Sequence, residues 1–133
     1  MDRKCHVFLG GSCGTSKWRE SMVIPKLSCT YFNPVVDEWD EAAYQNELYH
    51  RANDDYLLYV ISPLTAGLYS IAEVVDDSNK RPEKTIFCFL ESDGDESYSK
   101  DEIKALNKIG TLVESNGAKY CKTIEDVIKL LND

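Results

Sequence analysis

The chain has 133 residues, 43% of them apolar and 29% charged, with a formal net charge of −8. That length suits one domain with its own core, read here as a single unit over 1–133. The acidic balance excludes a general nucleic-acid surface, which needs clustered Lys and Arg, and no apolar run approaches the roughly 20 residues of a membrane-crossing helix.

The opening "MDRKCHVFLGG" is too short for a secretory leader and runs straight into a strand-like segment. Five scattered cysteines (Cys5, Cys13, Cys29, Cys88 and Cys121) include no CxxC and no Cys/His cluster. Neither zinc nor a disulfide framework is indicated, and reduced, mostly buried thiols in a cytoplasmic protein are expected. His6 and His50 lack sequence neighbours that would make them metal ligands, so no metal is expected.

"HVFLGG" (6–11) reads as a buried strand ending in glycines, and 16–27 as a helix cut short by Pro25. "SCTYFNP" (28–34) reads as a second strand stopped by Asn33-Pro34, and 40–53 as an amphipathic helix. "DYLLYVI" (55–61) and "KTIFCFL" (84–90) are continuous apolar runs, as in strands covered on both faces. A helix over 70–79 lies between them, and "ESDGDES" (91–97) is an acidic turn. A helix over 99–117, a short strand 118–121 and a helix 123–132 complete the order. This alternation predicts an α/β three-layer sandwich of the flavodoxin-like (Rossmann-like) kind, with a five-stranded parallel sheet in the order 2-1-3-4-5. Such folds bind ligands beyond the carboxyl ends of the strands, where strands 1 and 3 diverge.

The rule selects the loops after strands 1, 2 and 3. "GGSCG" (10–14) can bring backbone N–H groups to a phosphate or sugar, or can simply be a tight turn. Arg19 follows as a candidate anion partner, or as a solvated helix charge. Asn33, Asp37 and Trp39 come next, with Trp39 able to stack on a planar ring. Ser70-Ile71-Ala72-Glu73 fits a helix capping box, as do Ser99 to Glu102 and Thr123 to Asp126, so the pattern alone does not mark Glu73 as chemical. A place at a helix N-terminus would favour its ionised form. Glu47 is either one half of a surface pair with Arg51, four residues on, or a buried acid.

Taken together, "VFLGGSCGTSKWRE", "YFNPVVDEW", "ELYHRANDDYLLYVISP" and "GLYSIAEVVDDSNKRPEKTIFCFL" resemble, in order and spacing, the nucleoside 2-deoxyribosyltransferase-like family. The resemblance implies cleavage or transfer at the N-glycosidic bond of a 2′-deoxyribonucleoside or its 5′-monophosphate, without a cofactor. It places the nucleophile at Glu73 and, by spacing from the third strand, an acid at Glu47. A general acid there would need a raised pKa, and hence burial. Gly10, Gly11, Ser12, Arg19 and Ser70 would receive the sugar or phosphate, and Asn33, Asp37 and Trp39 would flank the base. A homo-oligomer is implied as well. Two departures stand out: "LTAGLYS" lacks the family's sugar-contacting aspartate, and Phe8 stands near a usual tyrosine. A non-catalytic nucleotide or metabolite binder using the same crevice is the alternative.

Overall fold

The computed structural model describes residues 5–133. The reading of the chain's start as too short for a leader rests partly on residues 1–4, outside the described residues.

Four strands, β1 (His6–Gly11), β2 (Thr30–Phe32), β3 (Tyr56–Ile61) and β4 (Thr85–Phe89), form a parallel sheet with the short β7 (Lys119–Tyr120). The order is β2-β1-β3-β4-β7. Counting sheet strands alone, this is the expected 2-1-3-4-5 arrangement. β5 (Ser92–Asp93) and β6 (Glu96–Ser97) make a separate antiparallel hairpin where the sequence reads as an acidic turn.

Alternation along each strand sends side chains to two cores. Val7, Leu9, Leu58 and Val60 pack with Trp18, Val23 and α4 (Ile124–Asn132) on one face. Phe8, Leu57, Tyr59 and Ile61 pack on the other with α2 (Leu68–Lys80) and α3 (Lys100–Ser115). α1 (Glu41–Asn53) lies on this second side, where His50 stacks on Phe32 of β2 at a centroid distance of 3.7 Å.

Three expectations are corrected. The helix expected over 16–27 is only a wide turn at Arg19–Val23 followed by a tight turn at Ile24–Lys26 containing Pro25. The missing proline N–H ends regular helix there, and Trp18 is drawn wholly under the sheet with Nε1 donating to Ser12 O at 2.9 Å. Secondly, α1 does not bury an apolar stripe. Ala52 is exposed, and the buried residues of this helix are Glu47 and Arg51. Thirdly, Cys5 and Cys29 form a disulfide, with Cα atoms 5.0 Å apart. The parallel pairing of β1 with β2 sets the residues preceding each strand side by side, with Thr30 N donating to Cys5 O. Cys13, Cys88 and Cys121 are free thiols.

No helix among the described residues is long and apolar enough to cross a membrane.

Candidate active site

β1 ends in Gly10 and Gly11, and the sheet leaves no room there for side chains. A Cβ on Gly10 would come within 2.7 Å of the Phe8 and Tyr59 rings. One on Gly11, at φ +108°, would overlap the Val60 backbone. Beyond this bare edge opens a crevice of about 670 Å³, within the range of small-molecule sites. Gly10, Gly11 and Phe8 contribute to its lining from β1, and Cys13, Gly14 and Arg19 from the segment that follows. Pro34, Val35, Val36, Asp37 and Trp39 come from the loop after β2, with Tyr44 and Glu47 from α1 and Tyr69, Ser70 and Glu73 from α2.

The start of α2 decides what Glu73 does. The helix begins two residues earlier than periodicity indicates, behind Gly67 in the left-handed region (φ 62°), which needs no side-chain cap. Ser70 is therefore its third residue, and the Ser70–Glu73 capping box does not form. The other two patterns do cap. Ser99 and Glu102 bond reciprocally, and Thr123 Oγ1 accepts from Asp126 N at 3.1 Å. Freed from the helix end, Glu73 lies one turn and a half in, buried against the crevice.

The expected ionised state is reversed as well. Burial first, then a hydrogen bond and like charge from Glu47, push the Glu73 carboxyl up to about 9, against the pull of Arg51. Two buried acids that hydrogen-bond to each other hold one proton between them at neutral pH, because removing it would put two negative charges side by side.

Arg51 does not pair with Glu47, as the surface reading had it. It crosses to α2, where Nε donates to Asp77 Oδ2 at 2.9 Å and Nη2 to Asp77 Oδ1 at 3.2 Å. Its Nη2 also reaches Asp76 Oδ2 at 3.1 Å, and Nη1 lies 3.5 Å from Glu73 Oε2. Burial would lower the guanidinium's pKa, but Asp77, Tyr59 and Glu73 more than reverse this and hold it charged. Asp77, fully buried, also accepts from the Tyr59 hydroxyl and from Arg81 Nη1. Burial and Asp77 push the Tyr59 phenol well up, so it stays a donor.

The other candidates divide. Gly10, Gly11, Arg19, Asp37, Trp39, Ser70, Glu47 and Glu73 all line the crevice. Ser12 and Asn33 are not among its lining residues. Ser12 Oγ is buried and accepts from Ser62 N at 2.8 Å, and Asn33 Oδ1 accepts from Val35 N at 3.1 Å to turn its loop. Arg19 spends its guanidinium on backbone carbonyls: Leu9 O at 2.9 Å, Ser12 O at 2.7 Å and Gly11 O at 3.3 Å. Burial lowers its pKa. Asp93, from the hairpin, ties neighbouring loops by accepting from Ser16 Oγ at 2.7 Å and Ser62 Oγ at 2.6 Å.

Sequence reasoning did not single out Tyr44 and Tyr69. Tyr44 lies three residues before Glu47, a spacing that shares a helix face and could have pointed to it. Among the described residues, the one group of potential metal ligands is His6, His50 and Asp54, which are absent from the crevice lining.

A family model for "nucleoside 2-deoxyribosyltransferase like" proteins matches residues 4–92, more than half of the chain and every element that lines the crevice. The chain belongs to that family. No curated protein matches it at a significant level.

Proposed function

We propose that this protein cleaves or transfers at the N-glycosidic bond of a 2′-deoxynucleoside, with Glu73 as nucleophile and Glu47 as acid. The observation that carries the reading is the buried, hydrogen-bonded Glu47–Glu73 pair facing a nucleoside-sized crevice.

The resting pair shares one proton. Shifting it along the hydrogen bond to Glu47 creates a carboxylate and an acid in one step, and the Arg51 guanidinium 3.5 Å away stabilises the carboxylate. Glu73 then attacks C1′ while the bond between C1′ and the base nitrogen breaks. Its electron pair goes to the base, which takes the proton from Glu47. A deoxyribosyl ester on Glu73 remains. An acceptor base or water attacks C1′ and returns the electron pair to Glu73, while Glu47 removes the acceptor's proton. Two displacements at one carbon give net retention.

The lining favours a nucleoside over its monophosphate. Arg19 is the one Lys or Arg there among the described residues, and each of its three nitrogens already donates to a carbonyl, while Asp37, Glu47 and Glu73 are acidic. Val35, Val36, Trp39, Tyr44 and Tyr69 supply apolar walls suited to a base.

The test is incubation with 2′-deoxynucleosides and their 5′-monophosphates, with and without an acceptor base, followed by chromatography of released base. Release by wild type but not by Glu73→Ala, with a sugar adduct on Glu73 by mass spectrometry, supports the reaction. Equal background from both proteins overturns it. The absence of the family's aspartate from "LTAGLYS" favours a second reading, a binder, which predicts ligand-induced thermal stabilisation without turnover.

A further inference from the structure

At the edge of the sheet opposite the crevice, a second constellation forms from residues far apart in sequence. His6 opens β1, and His50 and Asp54 lie in and just after the last turn of α1. The two imidazoles approach to a centroid distance of 5.7 Å. Asp54 Oδ1 bonds His50 Nδ1 at 2.9 Å, and Asp54 Oδ2 faces His6 Nε2 at 3.9 Å, too far for a hydrogen bond. One ligand atom from each of the three residues lies within 4.8 Å of the other two.

Two details make this more than a polar cluster. Asp54 is 5% exposed, and its Oδ2 is buried with no hydrogen-bond partner among the described residues. A carboxylate oxygen left so is costly, and a site for an ion is one of the standard reasons for such an orphan. The second detail is the His6 tautomer. Thr30 Oγ1 contacts His6 Nδ1 at 2.7 Å and lies 3.1 Å from Cys5 O, which can take its proton. In that arrangement His6 donates from Nδ1 and turns the lone pair of Nε2 towards Asp54. That is the arrangement of a metal-binding histidine, oriented by a hydrogen bond from its other nitrogen.

We propose that His6 Nε2, Asp54 Oδ2 and a ring nitrogen of His50 bind a divalent first-row transition ion of the zinc class. Two imidazoles and one carboxylate suit such an ion at bond lengths of about 2.0–2.2 Å, with water completing the shell. Donors sharing it lie roughly 3.0–3.4 Å apart at those bond lengths, so the three must close slightly around it. The ion clamps the end of α1 to the starts of β1 and β2, on the helix that also carries Glu47 and Arg51.

The test is calorimetric titration with zinc chloride at neutral pH, in a Cys13→Ser background so that the exposed thiol adds no site. The expected result is one Zn²⁺ per chain, a rise in melting temperature, and a visible d–d spectrum when Co²⁺ replaces it. His6→Gln and His50→Gln, each verified as folded by circular dichroism, should weaken binding about tenfold or more. No uptake overturns the proposal. So does uptake that either variant retains at full affinity.

Discussion

Arg51 on α1 places Nη1 3.5 Å from Oε2 of Glu73 on α2, while the rest of its guanidinium is held by Asp77 and Asp76. The cation is thus fixed by two acids of α2 and turned towards the proposed nucleophile. It lowers the cost of ionising Glu73 without cancelling it, since Glu73 still titrates far above an ordinary carboxylate.

That displacement has a signed consequence for stability. The Glu73 pKa rises from 4.5 to about 9 on folding, so between these values the folded chain binds the extra proton and stability falls as pH rises. The contribution is fully present below pH 4.5 and lost through pH 9. Glu73→Gln, which cannot ionise, should melt higher than wild type at neutral pH, by about 1–3 kcal/mol in stability, and the gap should widen towards pH 9. Melting temperature against pH checks this. The same shared proton predicts that turnover declines above pH 9, while Glu73→Gln is inactive although more stable.

Removing Arg51 should act in the opposite direction. Arg51→Met leaves Asp77 without its bidentate partner at full burial, and a cost of about 3–5 kcal/mol is expected by urea denaturation. Arg51→Lys keeps a charge but cannot reproduce the fork, so it should recover only part of the loss.

The three capping-box sequences should respond differently to one substitution. Ser99→Ala and Thr123→Ala each remove a formed cap and should cost about 1 kcal/mol. Ser70→Ala, inside α2 with no cap to lose, should leave the melting temperature nearly unchanged. An equal loss at all three positions would contradict the helix start at Leu68.

Val35, Val36, Trp39 and Tyr69 line the crevice and are exposed, and Leu68, next to Tyr69 in the chain, is 76% exposed. We expect a second copy of the chain to cover this apolar rim. Light scattering should report a dimer or larger species, and Leu68→Glu should shift it towards monomer. A wild-type monomer at high concentration would count against the idea.

The parallel sheet was legible because each buried strand is a continuous apolar run with its own stop, and "YLLYVI" or "TIFCF" has no competing reading. The crevice position followed from strand order, while Glu47 and Glu73 were picked out by the family resemblance; both line the crevice. What escaped were contacts between distant segments. Arg51 meets Asp77 across 26 positions, His6 meets His50 across 44, and Cys5 meets Cys29 across 24. Local periodicity carries no trace of such pairings. It misled outright at α1, where a charged stripe faces inward, and at Arg19, which is buried against backbone carbonyls instead of being a solvated helix charge.

Gly10 and Gly11 leave the base of the crevice as naked main chain. Main chain presents nearly the same surface whatever the sequence, so it discriminates poorly between guests. Choice of guest must then reside in the side chains of residues 34–39 and of Tyr44 and Tyr69, which can be exchanged without disturbing a single strand. A library confined to those positions would alter preference while leaving Glu47 and Glu73 where they are.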